Sequence, residues 1–194
     1  KAPDLWSQAI MSGINSSWDY VDGTGIIVAV SDSGLDSGTN DSTMHPDFRD
    51  HIVDIVSLPM TPARATACGS PANDGAEDID GHGTHVAGSV LGDGTDSSGN
   101  IKGMAPEARL YFQSVGLWCA NNPAGERNTL LGIPTNKTDL FRFAAENGSR
   151  VHTNSWGNTC SPSARCYSEY TTGSMQADIA ARNYRNMTIL FSAG

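Results

Sequence analysis

The sequence predicts an α/β fold of three layers, a mostly parallel twisted sheet with helices on both faces. Three observations carry that prediction. Ile26 to Val30 is a continuous apolar, β-branched run, as expected of a central parallel strand buried on both sides. Strand-like and helix-like stretches alternate along the chain, the order that builds a covered parallel sheet. The 194 residues, 38% hydrophobic and 17% charged, suffice for one α/β core and do not read as a disordered chain.

Residues 1–20 read as a short helical lead, with Leu5, Trp6, Ile10 and Met11 at helical spacing and Trp18 and Tyr20 beyond them. Asp22 to Gly25 is a turn before the first strand, and Asp32 falls at the C-terminal end of that strand. Ligands and catalytic groups gather at this edge of a parallel sheet, although a loop carboxylate capping a turn is the competing reading. His45-Pro46-Asp47-Phe48 leads into a second strand, Ile52 to Val56. Thr61 to Ile79 shows no periodicity, carries Pro62, Gly69, Pro71 and Asn73-Asp74-Gly75, and reads as a surface loop with an acidic patch at Glu77, Asp78 and Asp80.

A helix from about Gly83 to Leu91 follows, then a polar turn from Asp93 to Gly99 and a third strand, Arg109 to Val115. Gly116 to Thr135 is a further loop, succeeded by an amphipathic helix from Asp139 to Asn147 with Gly148 as its C-cap. Arg150 to Trp156 is a fourth strand, Ser174 to Asn186 a helix and Thr188 to Phe191 a fifth strand. The sequons at Asn15, Asn40, Asn136, Asn147 and Asn186 mark only where glycosylation is permitted.

Asp80 to Ser89, DGHGTHVAGS, is the most chemically loaded stretch, with His82 and His85 inside a glycine-rich helix entrance. A lone helical histidine is more often packed than catalytic, so the pair alone decides nothing. Asp32, at the end of a buried strand, supplies the missing partner. A buried carboxylate bonded to one imidazole nitrogen fixes the tautomer and frees the other nitrogen to deprotonate a nucleophile. Two effects on His82 then compete, because a helix N-terminus disfavours imidazolium and a carboxylate favours it. Zinc binding through His82 and His85 is the weaker reading, since no glutamate stands beside the first histidine and the spacing is one residue short.

VAVSDSGLD around Asp32 and DGHGTHVAGS around His82 resemble the subtilisin-like serine proteases in order and spacing, and MHPDF, GMAPEARLYFQSV, HTNSWG and TILFSAG fall where that family has corresponding segments. HTNSWG, SVLGDG and NMTILF are most similar to its oxidatively stable alkaline branch. The resemblance implies that residues 1–194 are the N-terminal part of a single catalytic domain, incomplete at its C-terminal end, with Asp32 the triad acid, His82 the general base and His85 structural. It assigns Ser155, Trp156 and Gly157, with Ser192, Ala193 and Gly194, to the walls of the primary specificity pocket, and it puts a substrate-pairing edge strand near Leu130, Leu131 and Gly132. The family's nucleophile motif and its oxyanion asparagine do not occur here, which implies that they lie on a further segment or a second chain. A catalytically incomplete peptide-binding module is the alternative. Calcium is the implied structural ion, with Asp47 at a matching ligand position, while Asp93 and Asp96 read as solvated turn residues.

Twelve basic against twenty-one acidic residues give a net charge of −9, which argues against nucleic acid and anionic membranes as partners and makes cations the better-matched ligands, while a protein or peptide substrate is what the resemblance implies. The N-terminus lacks a signal-peptide layout, and the chain reads as soluble and already processed. Cys68, Cys119, Cys160 and Cys166 allow three pairings. Closing the short loop between Cys160 and Cys166 would gain about 2 kcal/mol, and linking Cys68 to Cys119 about 4 kcal/mol. Both bonds are expected, and they imply an oxidising compartment and a secreted protein.

Overall fold

The structure, a computed structural model, describes residues 22–122, 130–157 and 169–193. Five strands form one parallel sheet: β1 (Ile27–Asp32), β2 (Ile52–Ser57), β3 (Arg109–Ser114), β4 (Val151–Asn154) and β5 (Thr188–Phe191), in the order β2-β3-β1-β4-β5. The expected α/β class with helices on both faces is therefore the observed one. β1 is central, and its neighbours β3 and β4 lie on opposite sides of it. The chain thus reverses its winding direction at β1, and the carboxyl end of such a strand opens onto a crevice.

Alternation along the strands assigns the two faces. Val28 and Val30 of β1, with Leu110 and Phe112 of β3, pack against Ala87 and Leu91 of α2 (His82–Leu91). Ala29 and Tyr111 point the other way, onto Leu140, Phe141 and Ala144 of α3 (Thr138–Glu146) and Ala180 of α4 (Thr172–Asn183). Each apolar run is thus buried on both sides, as the continuous pattern at Ile26 to Val30 requires.

Three expectations are corrected. The surface loop from Thr61 to Ile79 contains a helix, α1 (Pro62–Cys68), whose N-cap Thr61 accepts the Arg64 amide and whose C-cap Gly69 is left-handed at φ 63°. Seven residues of PARATAC carry no apolar stripe, so periodicity passes over a helix that its end signals specify. The fourth strand is shorter than Arg150 to Trp156, ending at Asn154. Leu130, Leu131 and Gly132 form no strand: Leu130 and Leu131 turn onto apolar clusters, and Gly132 donates to the Val115 carbonyl at 2.9 Å. A Cβ at Gly132 would stand 3.0 Å from Val115 Cα, so the turn is packed against the end of β3 instead of presenting an edge.

Cys68 and Cys119 are joined as a disulfide, inside a satellite cluster with Met60 and Leu117. The expected Cys160 to Cys166 bond and the helical lead over residues 1–20 lie outside the described residues.

Candidate active site

Asp32 is the last residue of β1 and is 1% exposed. His82 is the first residue of α2, and its Nδ1 lies 2.7 Å from Asp32 Oδ1. Glycine makes this approach sterically allowed. A Cβ at Gly83 would collide with the Gly34 carbonyl oxygen and stand 3.1 Å from Asp32 Cβ, and a Cβ at Gly34 would stand 2.6 Å from the Glu77 carbonyl oxygen. The helix therefore enters directly against the end of the strand, and the two sequence motifs meet there.

A second set of bonds braces the pair. Asp32 Oδ1 also accepts the Ser33 amide at 2.7 Å. The Ser33 hydroxyl donates to Asp78 Oδ1 at 2.7 Å and accepts the Gly83 amide at 2.9 Å. Asp78 Oδ2 accepts both the Thr84 amide, at 2.7 Å, and the Thr84 hydroxyl, at 2.6 Å. In the sequence Asp78 belongs to an acidic patch on a surface loop, and nothing there marks Ser33 or Thr84 for a role. The only signal was position, Asp78 standing four residues before His82.

The competition over the His82 charge resolves towards the carboxylates. Its pKa is raised above the ordinary histidine value, first by the hydrogen bond to Asp32, with Coulombic help from Asp32, Asp80 and Asp78 and with burial opposing. The opposing pull of the helix terminus is blunted, because Asp78 already takes the Thr84 amide of the first turn.

The residues assigned to the specificity pocket lie just beyond the ends of β4 and β5. Trp156 donates its indole N–H to the Ser31 carbonyl at 2.9 Å, one residue before Asp32, and meets the Phe191 ring edge-on at 5.6 Å. Ser155 is half-buried and Gly157 is exposed. Ser192 donates its amide to the Asn154 carbonyl at 3.0 Å, which ties the two walls together, and Ala193 is exposed. Trp156, Gly157 and Phe191 line a cleft of about 420 Å³ with Lys137, Gly173 and Ala177. Gly194 lies outside the described residues.

His85 is exposed and not packed, beside Asp47 and Gly88 in a shallow cleft. The residues near Asp47 do not form a cation cage. Asp47 Oδ1 accepts the Asp96 amide at 2.7 Å, and the Asp93 carboxylate accepts the Thr95 amide and hydroxyl at 2.7 and 2.9 Å and faces His51 Nε2 at 3.4 Å. Among the described residues no group of three or more His, Cys, Asp or Glu gathers as a metal site.

Buried on the α3 side of the sheet, His152 bonds through Nε2 to Gln113 Oε1 at 2.9 Å and through Nδ1 to Asn154 Nδ2 at 3.1 Å. Burial pushes its pKa down to about 3. Gln113 in turn donates to the Leu140 carbonyl and Asn154 to the Leu190 carbonyl, each at 3.0 Å, so one polar chain links β3, β4, β5 and α3.

The chain is 35% identical over 115 residues to the major intracellular serine protease of Bacillus subtilis, a match over 59% of this chain and 28% of that protein. It is 39% identical over 93 residues to a subtilisin of Bacillus sp. strain TA39, over 48% of this chain and 19% of the relative. These relatives support the family and do not single out its alkaline branch. The fold is similar to the self-cleaved protease domain of PatA, with a TM-score of 0.51 at 21% identity, covering 90% of this chain and 51% of that one. The model of the subtilase family matches residues 23–194, and the chain belongs to that family.

Proposed function

We propose that this chain supplies the acid and base of a serine endopeptidase that cleaves peptide bonds by acyl transfer. The observation that carries the reading is the 2.7 Å contact between His82 Nδ1 and Asp32 Oδ1, in which the carboxylate side chain is 2% exposed and the imidazole 49% exposed. With Nδ1–H donated to Asp32, the His82 Nε2 lone pair takes the proton of the attacking serine hydroxyl, and Asp32 stabilises the imidazolium so formed. His82 then returns that proton to the leaving amine.

The nucleophilic serine and the oxyanion asparagine belong to a part of the protein beyond these residues, a further segment or a second chain. Ser33 is not the nucleophile, because its hydroxyl is buried and donates to Asp78. Ser155 to Gly157, with Ser192 and Ala193, form the walls against which an extended peptide pairs through its backbone, and the family resemblance adds Gly194 to them. The Cys68–Cys119 disulfide supports an oxidising, extracellular setting. No step of this mechanism runs through calcium.

The test is labelling and turnover by the complete protein. A serine-directed phosphonate is expected to label the parent at one serine, and His82→Ala is expected to abolish both labelling and peptide cleavage while leaving the circular dichroism spectrum unchanged. Retained turnover in folded His82→Ala would remove the assigned base.

A further inference from the structure

We infer that Asp78 is a positioning residue for the Asp32–His82 pair, acting through Ser33 and Thr84. The inference rests on the reading of that pair as acid and base. Asp32 and His82 are fifty residues apart and sit on different elements, so their 2.7 Å contact depends on how the end of β1 is clamped to the start of α2. The glycine contacts allow the two elements to approach but do not fix their register.

Asp78 does both. One carboxylate oxygen holds the residue after Asp32, through the Ser33 hydroxyl at 2.7 Å, and the other holds the second residue after His82, through the Thr84 amide and hydroxyl at 2.7 and 2.6 Å. The Ser33 hydroxyl closes the bridge by accepting the Gly83 amide at 2.9 Å. Asp78 is itself anchored: its amide donates to the Asp36 carbonyl at 2.9 Å, and the Asp36 amide donates to the Thr84 hydroxyl at 2.8 Å. Bonds to a carboxylate are stronger than neutral ones. The N-cap Gly81 provides no side-chain cap, so Asp78 satisfies a helix donor that would otherwise lack a partner. The charged groups that act on His82 are Asp32, Asp80 and Asp78 itself.

The test compares parent, Asp78→Ala and Asp78→Asn in the complete protein, with kcat counted per phosphonate-titrated site and with the His82 Nδ1 proton followed by NMR. Asp78→Ala is expected to lower kcat about 10- to 100-fold, the scale of a small misplacement of reacting groups, with KM within about twofold and the Nδ1 proton signal lost to exchange. Asp78→Asn keeps an acceptor oxygen for Thr84 and can donate its amide N–H to the rotatable Ser33 hydroxyl, so it is expected to restore most of kcat and the Nδ1 signal, with the acid limb of the pH profile moved to lower pH because a negative charge is gone. Parental kcat per site and an intact Nδ1 signal in Asp78→Ala would overturn the inference, as would a loss of activity accounted for entirely by a smaller folded fraction. A parent that neither turns over nor labels would instead refute the peptidase reading, and the Nδ1 signal would still report whether Asp78 holds the pair.

Discussion

His82 Nδ1 and Asp32 Oδ1 lie 2.7 Å apart across the junction of a buried strand end and an exposed helix start. The hydrogen bond to Asp32 raises the His82 pKa, with Asp80 and Asp78 adding to it through space. A general base works only when neutral, so the raised value moves the onset of activity upward. The acid limb of kcat/KM for the complete enzyme is expected above the ordinary histidine value of about 6.5. A limb below that value would show that burial or the helix terminus outweighs the carboxylates.

The same contact predicts the effect of removing only the charge. Asp32→Asn keeps the size of the side chain but no longer fixes the tautomer or stabilises imidazolium. The kcat of the complete enzyme is expected to fall about 10⁴-fold, as when a triad aspartate becomes asparagine, with KM little changed. Burst kinetics with an activated ester separate this from a change in binding.

Gly83 is the steric gate of the site. A Cβ there meets the Gly34 backbone and the Asp32 side chain, neither of which is a flexible end that yields cheaply. Gly83→Ala is expected to displace α2 from β1 and lower kcat by at least about 10²-fold, since a shift near 1 Å has that cost. Gly88→Ala, on the same helix, meets nothing closer than Phe48 at 3.8 Å and serves as the control.

What the sequence disclosed, and what it did not, follows from the range of the forces involved. Asp32 and His82 were legible because each ends or begins an element whose pattern is local: the apolar run before Asp32 and the glycines around His82. The five strands were legible for the same reason. Helix α1 was hidden because its seven residues are held by end caps and by the disulfide at Cys68, not by an apolar face. Asp78 was hidden because an acidic residue in a polar loop reads the same whether it faces water or bridges Ser33 to Thr84. His152 offered no sign that it sits wholly buried between Gln113 and Asn154, partners set by strand register and not by neighbouring sequence.

The Cys68–Cys119 bond closes a loop with a sequence separation of 51. In the chain-entropy account such a loop stabilises the fold by up to about 4 kcal/mol. Reduction, or the Cys68→Ala and Cys119→Ala double variant, is expected to lower the thermal midpoint by several degrees and to loosen α1 first, because Cys68 is its last residue. Hydrogen exchange at α1 amides checks the second part.

His152 gives the protein a built-in acid sensitivity. It is 0% exposed, and burial depresses its pKa to about 3, whereas in the unfolded chain it takes a proton near the ordinary value of about 6.5. Between those values the unfolded state binds the extra proton, so the contribution of His152 is fully present above about pH 6.5 and is lost as the pH falls towards 3. The slope approaches about 1.4 kcal/mol per pH unit across that window. Urea midpoints measured from pH 7 to pH 4 are expected to fall accordingly, and His152→Gln is expected to flatten the curve while starting from a lower stability at pH 7. An unchanged slope in the variant would assign the acid loss to other groups. A flattened one would tie the strands that carry Ser155 and Ser192 to one buried neutral imidazole, since Asn154 holds both His152 and the end of β5.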